Sequence, residues 1–281
     1  MVSIVITAYN VERWIAKAIE SACAQSFRDI EIIVVEDCST DATRDRIQQM
    51  KDPRITVIHN PINIGAGASR RKGIEATKGD YILLLDGDDW LDKEFVEQLH
   101  KKAVETGAEI VGGGIRIVKE DGSWDAASYG NRIVTGKEKI TEFWKERIVF
   151  MNNKLIHRKL HDAVPYCTRR FIEDTPVIIP QLYLANKVAY IDTTGYNYRM
   201  HGNSLTHEAS HFKYALFRTL CLEDIITFFE KEGKEMLEEL PFSNSYANCL
   251  AEIKSSLPTD EVGLYKDEWI EFTTKLIKRL V

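Results

Sequence analysis

The chain has 281 residues, 44% of them hydrophobic and 28% charged, with a formal net charge of −6. Those are the proportions of an ordinary globular protein, and the acidic balance argues against nucleic acid as a partner and against an unspecific grip on anionic lipid. No stretch approaches 18 uncharged apolar residues, so no membrane span is expected. The five cysteines, Cys23, Cys38, Cys167, Cys221 and Cys249, are widely spread and form no CxxC pair. They suggest neither zinc nor a disulfide framework, and a reducing cytosol is the expected home. Met1 to Ile4 opens directly in a strand-like run, with no basic leader region or cleavage site.

Strands and helices alternate through the first half. Ile4 to Ile6 reads as a first strand, followed by the loop Thr7-Ala8-Tyr9-Asn10, in which Asn10 is placed to cap a helix. Beyond it Ile15, Ala18, Ile19, Ala22 and Cys23 recur at helical spacing. Ile30 to Val35 is a second strand, then Glu36 to Asp41 leads into a polar helix through about Met50. Pro53 interrupts, and Ile55 to His59 makes a third strand. Asn63 to Ala68 opens a helix that ends near Gly79, and Tyr81 to Leu85 is the fourth strand. A helix with Phe95, Val96, Leu99 and Ala103 follows. Ile110 to Val118, broken by three glycines, gives one or two further strands. This order predicts an α/β fold with a mostly parallel sheet flanked by helices.

The richest chemistry follows the fourth strand. Ile82 to Leu85 is an apolar run suited to a strand buried on both faces, and it delivers Asp86-Gly87-Asp88-Asp89. Open α/β sheets bind ligands at that carboxyl edge. Adjacent carboxylates repel unless a cation or a donor compensates them, and hard oxygen ligands favour Mg²⁺ or Mn²⁺, with phosphates completing the shell. The plain alternative is a turn with capping aspartates. Thr7, Tyr9, Asn10 and Asp37 also follow strand ends, where an aromatic ring can stack on a base and a carboxylate can accept from an imide or ribose hydroxyl. Their structural readings are that Asn10 and Ser39 cap helices, Tyr9 packs and Asp37 fixes a turn.

Five blocks now stand in order: Val2-Ser-Ile-Val-Ile-Thr-Ala-Tyr-Asn10, Ile32-Ile-Val-Val-Glu-Asp-Cys-Ser-Thr-Asp41, Asn63-Ile-Gly65, Ser69-Arg-Arg-Lys-Gly73 and Leu85-Asp-Gly-Asp-Asp89. Together they resemble the nucleotide-sugar-binding half of family 2 glycosyltransferases, over residues 1–118 and more weakly to about Thr206. Cys38 stands where the family commonly has glycine, and Arg71 where it commonly has asparagine. The resemblance implies the GT-A (Rossmann-like) fold and a nucleotide-sugar donor, most often uridine-linked. It divides the chain into a donor half (1–118), an acceptor half of the same domain (119–206) and a C-terminal helical extension (207–281). It implies that Thr7, Ala8, Tyr9, Asn10, Glu12 and Asp37 hold the nucleoside, and that Asn63 and Arg70 shape the donor pocket. Asp86, Gly87 and Asp88 would form the DxD motif, with Asp86, Asp88 and His201 on a Mn²⁺ or Mg²⁺ ion. Asp174, after Phe171-Ile172-Glu173, would be the general base of an inverting transfer, with Glu173 as its competitor. The acceptor would be a saccharide or a lipid-linked one, in bacterial surface polysaccharide or lipopolysaccharide synthesis.

The second half is less legible. Residues 119–136 read as loop or hairpin, and Lys137 to Val149 as a helix with Trp144 and Ile148 in the core. Lys154, Arg158, Lys159, Arg169 and Arg170 form a basic cluster, either a solvated surface or a contact for diphosphate or an acceptor phosphate. Asp174 also reads as a helix cap with Pro176 in the first turn. Phe212, Leu216, Leu220, Ile226 and Phe229 mark one C-terminal helix. Trp269, Phe272, Leu276 and Leu280 mark another, which carries Lys275, Lys278 and Arg279. These helices either dock on the catalytic domain or in a homodimer, or make peripheral contact with an anionic membrane at its inner face. A nicotinamide-dependent oxidoreductase is disfavoured, because Arg70 replaces the third glycine of its fingerprint. A nucleotidylyltransferase would want a glycine-rich phosphate loop after the first strand. A noncatalytic nucleotide- or sugar-binding module remains the alternative to an enzyme.

Overall fold

The structure, a computed structural model, describes residues 1–141, 150–167, 172–202, 211–239, 248–249, 251–253 and 266–280. Ten strands form one sheet. They are β1 (Val2–Ala8), β2 (Ile30–Glu36), β3 (Ile55–His59), β4 (Tyr81–Asp86), β5 (Trp90–Leu91), β6 (Ile110–Val118), β7 (Trp124–Ala127), β8 (Arg132–Thr135), β9 (Lys154–His157) and β10 (Lys187–Arg199). The order is β3-β2-β1-β4-β9-β6-β10-β5, with β7 added on β6 and β8 on β10. The helices are α1 (Ile15–Cys23), α2 (Thr43–Gln48), α3 (Ala66–Glu75), α4 (Phe95–Thr106), α5 (Arg158–Ala163), α6 (Thr175–Leu184), α7 (His211–Glu232), α8 (Glu235–Glu239) and α9 (Lys266–Leu280).

The apolar strands are continuous because both sheet faces are covered. Ile4, Ile32 and Leu83 face one core with α1 and α4, whereas Val5, Ile33 and Leu84 face the other with α3 and α6. Successive side chains alternate in this way along every strand. β1 pairs in parallel with β2 and β4, and β2 with β3, as βαβ units require. The sheet as a whole is mixed rather than mostly parallel. β9 inserts antiparallel between β4 and β6, β5 runs antiparallel to β10, β7 returns antiparallel on β6 as a hairpin strand, and β8 pairs antiparallel with the distant β10. In this half only β6 and β10 are parallel neighbours.

The three glycines of Ile110–Val118 do not split the strand, and β6 runs through all of them. Phe95, the first residue of α4, is 1% exposed and its ring packs against Gly113 of β6 and Gly195 of β10. A methyl group on Gly113 or Gly195 would fall inside that ring, and one on Gly112 or Gly114 would meet Tyr190 or Thr194. The glycines make room for neighbouring side chains.

The C-terminal extension docks on the domain. Cys221, Leu222, Ile225 and Phe229 of α7 join the core formed by Val177, Ile178 and Leu182 of α6. Another side of α7, with Phe212, Leu216 and Leu220, packs on Trp269 and Phe272 of α9. Lys275 pairs with Asp224 at 2.7 Å and Glu271 at 2.9 Å, so it is not offered to a lipid surface. Trp144, Ile148, Arg169 and Arg170 lie outside the described residues, as do the side chains of Leu276, Lys278, Arg279 and Leu280.

The Phe95 contact gives a stability test. Gly195→Ala should cost about 1–3 kcal/mol through overpacking, read as a lower urea midpoint. Adding Phe95→Leu, which removes the ring from that spot, should recover part of the loss. Additive losses in the double variant would refute the contact.

Candidate active site

The carboxyl ends of β1, β2 and β4 put the donor loops side by side. Thr7 pairs with Asp86, and the Gly87 amide donates to the Thr7 carbonyl at 2.9 Å. A side chain at Gly87 would sit 2.8 Å from that carbonyl and 3.0 Å from Val11, so the close approach demands glycine.

Most polar groups of the nucleoside loops hold one another. The Asn10 side-chain oxygen Oδ1 accepts from the Thr40 amide at 2.8 Å, and a Glu12 carboxylate oxygen accepts from the Ala42 amide at 2.8 Å. Asp41 returns the favour by accepting from the Glu12 amide at 3.1 Å. Asn10 therefore does not cap α1, which starts at Ile15 after Trp14; Asn10 has a left-handed φ of 53°. Asp37 is 3% exposed and accepts from the amides of Ile64 and Gly65, each at 2.9 Å, and from Asn60 at 2.7 Å. Its carboxylate fixes the Asn60–Gly65 turn. Asn63 donates to the Asp37 carbonyl at 3.3 Å. Cys38 has a φ of 59°, which explains why glycine suits that position. Tyr9, 46% exposed, is not packed away but presents its ring at the edge beside Ala8.

The acidic loop splits its three carboxylates. Asp86 accepts from Arg70 at 2.8 Å, from Asn152 at 2.6 Å and from the Thr7 hydroxyl at 3.4 Å. Both of its oxygens accept from side-chain donors. Asp88 instead meets His201, with Oδ2 at 2.9 Å from Nε2. Asp89 turns inward, 1% exposed, accepting from the Tyr196 hydroxyl at 2.6 Å and the Arg199 amide at 2.8 Å. Burial, then Asp88 and Asp86, push the Asp89 carboxyl well above the usual carboxylate range.

Arg70 joins this loop to the acceptor side. Its other terminal nitrogen donates to Glu173, so one buried guanidinium bridges β4 and the start of α6. Burial alone would lower its pKa, but Asp86 and then Glu173 raise it, and the charge stays. Asp174 follows Glu173 and accepts from the Thr175 amide at 2.9 Å, capping α6 with Pro176 in its first turn. Burial and then the Glu173 charge raise the Asp174 carboxyl to about 6, against the opposing pull of Arg70. Ile172, just before the pair, has a φ of 53°, a strained conformation for a β-branched residue.

The basic cluster does not survive as a unit. β9 runs antiparallel to β4, so Lys154 starts at the inner part of the sheet and the chain leaves at the amino edge. There Arg158 bonds the Gly79 carbonyl and Thr77, and Lys159 pairs with Glu109, away from the donor loops. Lys154 is fully buried and donates to the Phe150 carbonyl and to Asn153 Oδ1; burial brings it down to about 7.

Four contributors carried no local signal in the sequence. Asn152 and Tyr196 hold Asp86 and Asp89, Arg199 donates from Nε to the Asp88 carbonyl at 2.8 Å, and Trp14 stacks on His201. Among the described residues no group of three or more His, Cys, Asp or Glu side chains makes a closed metal cage. Asp88 and His201 do fit an open divalent site, since one carboxylate and one imidazole leave positions for phosphate and water.

The chain resembles known proteins over most of its length. The sequence pattern of Glycosyl transferase family 2 matches residues 3–165. Glycosyltransferase GlyG of Streptococcus pneumoniae is 26% identical over 245 residues, 83% of this chain and 79% of that protein. The Escherichia coli UDP-Glc:alpha-D-GlcNAc-diphosphoundecaprenol beta-1,3-glucosyltransferase WfaP is 43% identical over 101 residues, 36% of this chain and 40% of WfaP. Across GlyG and three further glycosyltransferase relatives the chain spans from 31% to 79% of the relative's length. The crystal structure of S. aureus TarS 1-349 in complex with UDP-GlcNAc superposes with a TM-score of 0.67 at 18% identity, covering 92% of this chain and 81% of that one. The fold is therefore GT-A, and the chain belongs to glycosyl transferase family 2.

Proposed function

We propose that this protein transfers a sugar from a uridine diphosphate sugar to an acceptor hydroxyl with inversion, using Asp174 as the general base. One observation carries the reading: Arg70 binds Asp86 of the donor loop and Glu173 of the acceptor helix at once, bringing two distant carboxylate groups to one place. The exposed ring of Tyr9 and the backbone of Thr7 and Ala8 suit a nucleoside at the sheet edge. Asp88 and His201 would hold Mn²⁺ or Mg²⁺, which when bound supplies Lewis-acid stabilisation of the departing diphosphate.

Glu173 is committed to Arg70, which leaves Asp174 as the carboxylate for proton transfer. One Asp174 oxygen caps α6 and fixes the group's orientation, and the carboxylate would accept the proton of an acceptor hydroxyl. TarS binds UDP-GlcNAc, which supports uridine as the base. WfaP acts on a diphosphoundecaprenol-linked sugar, which supports a lipid-linked saccharide acceptor and a role in bacterial surface polysaccharide synthesis. Contact with such an acceptor would be at the inner face of the membrane; among the described residues no helix is long and apolar enough to cross one.

Four outcomes test the reading. Asp174→Asn should cut turnover by roughly 10²-fold or more and leave UDP binding, measured by calorimetry, nearly intact. If Glu173→Gln collapses turnover instead, the base is Glu173.

The pH profile should fall on its acid side near pH 6, because Asp174 must lose its proton to act and burial raises its pKa to about 6. Glu173→Gln removes the negative neighbour that contributes to the rise, so the acid limb of kcat/KM should move to lower pH. An unmoved limb would dissociate the profile from Asp174.

Chelation should abolish turnover, Mn²⁺ should restore it, and Asp88→Asn should weaken Mn²⁺ binding. Calorimetry should show UDP binding above GDP and ADP. Equal binding of the three would remove the uridine assignment. Nucleotide binding without release of nucleoside diphosphate from any of a panel of sugar donors and acceptors would favour a noncatalytic module.

A further inference from the structure

His201 stands two residues past the end of β10 and is 9% exposed. Its Nε2 faces Asp88, but its Nδ1 is buried and has no hydrogen-bond partner among the described residues. An imidazole that binds a metal usually has its plane and tautomer fixed by an acceptor on the other nitrogen. His201 has a flat support in that role. The indole of Trp14 stacks on it, with ring centroids 4.0 Å apart and planes 28° from parallel.

Trp14 is itself held from several directions. Its amide donates to the Val11 carbonyl at 2.9 Å, and the Val11 amide donates to Thr43 Oγ1 at 2.8 Å. The Arg199 guanidinium lies 5.9 Å from the Trp14 ring and 4.6 Å from the Trp90 ring, while its Nε donates to the Asp88 carbonyl. Lys17 closes the stack at 3.4 Å over Trp90. Rings and cations thus alternate from α1 to the acidic loop, and His201 is the last member.

We propose that Trp14 is a positioning residue for the metal site: its indole sets the plane of His201 so that Nε2 points at the position shared with Asp88. Trp14 touches neither metal nor substrate in this role. It links the loop that carries Tyr9 to the groups that hold the cation, although Trp14 and His201 are 187 residues apart in sequence.

The inference rests on the reading that Asp88 and His201 hold the cation, so the test contains a control for that reading. Mn²⁺ affinity is measured by electron paramagnetic resonance in the presence of UDP, on the full chain and on Trp14→Ala, Trp14→Phe and His201→Ala. Stacking of this kind corresponds to roughly a two- to tenfold change in an equilibrium constant. Trp14→Ala should weaken Mn²⁺ binding by that factor, Trp14→Phe should recover most of it, and UDP binding without metal should be unchanged. Quenching of tryptophan fluorescence by Mn²⁺ should also diminish in Trp14→Phe, because the indole stacked on His201 is gone. Weakening in His201→Ala with no change in Trp14→Ala overturns the inference and leaves the metal reading standing. No weakening in either overturns both. A loss in Trp14→Ala that Trp14→Phe does not recover, accompanied by a lower Tm and weaker metal-free UDP binding, assigns Trp14 to packing and also overturns the inference.

Discussion

A guanidinium shared between two carboxylates is the constraint on which the site depends. Arg70 is 8% exposed, and the acidic groups around it, Asp86, Glu173 and Asp174, would repel one another in a partly desolvated space without it. Taking Arg70 away leaves buried charge without compensation, which costs far more than an exposed ion pair is worth. The same contact ties the end of β4 to the start of α6. The geometry between donor and acceptor sides is thus a property of one side chain with two fixed, planar donors.

The acidic loop shows how adjacent carboxylates avoid competing. Asp86 is turned to Arg70 and Asn152, Asp88 to His201, and Asp89 into the core against Tyr196. Each has its own compensation: a cation, an imidazole, and protonation favoured by burial. Tyr196 links two of them, since its hydroxyl donates to Asp89 and accepts from the Asp86 amide at 3.4 Å. The loop's shape is therefore fixed from beneath, by β10, before any ligand arrives.

Parts of this were legible in the sequence because one physical signal dominated there. β1, β2 and β4 are buried on both faces and read as apolar runs, and the acidic loop follows the last of them directly. β9 opens with a buried lysine and spans four residues, so no periodicity announces it. β10 carries Asp192-Thr193-Thr194-Gly195 in its middle, where its pairing with β6 is irregular, and reads as loop. The basic cluster looked continuous only because strand direction is invisible in a list of residues; β9 carries Lys154 inward and Arg158 to the opposite edge. Asn10 looked like a cap because its side chain suits one, yet its acceptor is used by a loop 30 residues away. No sequence pattern names a partner for Trp14, and that partner is supplied by tertiary structure alone.

The two-sided helix α7 has a consequence for how this protein can be altered. Its residues complete the core beneath α6, the helix that Asp174 caps, while another side supports α9. Removing residues beyond His211 would open to water the apolar surface of Val177, Ile178 and Leu182, and the floor under the acceptor side would lose its backing. The extension is thus part of the mould that shapes the acceptor helix. Grafting an acceptor region from a relative into this chain requires the matching C-terminal helices to travel with it.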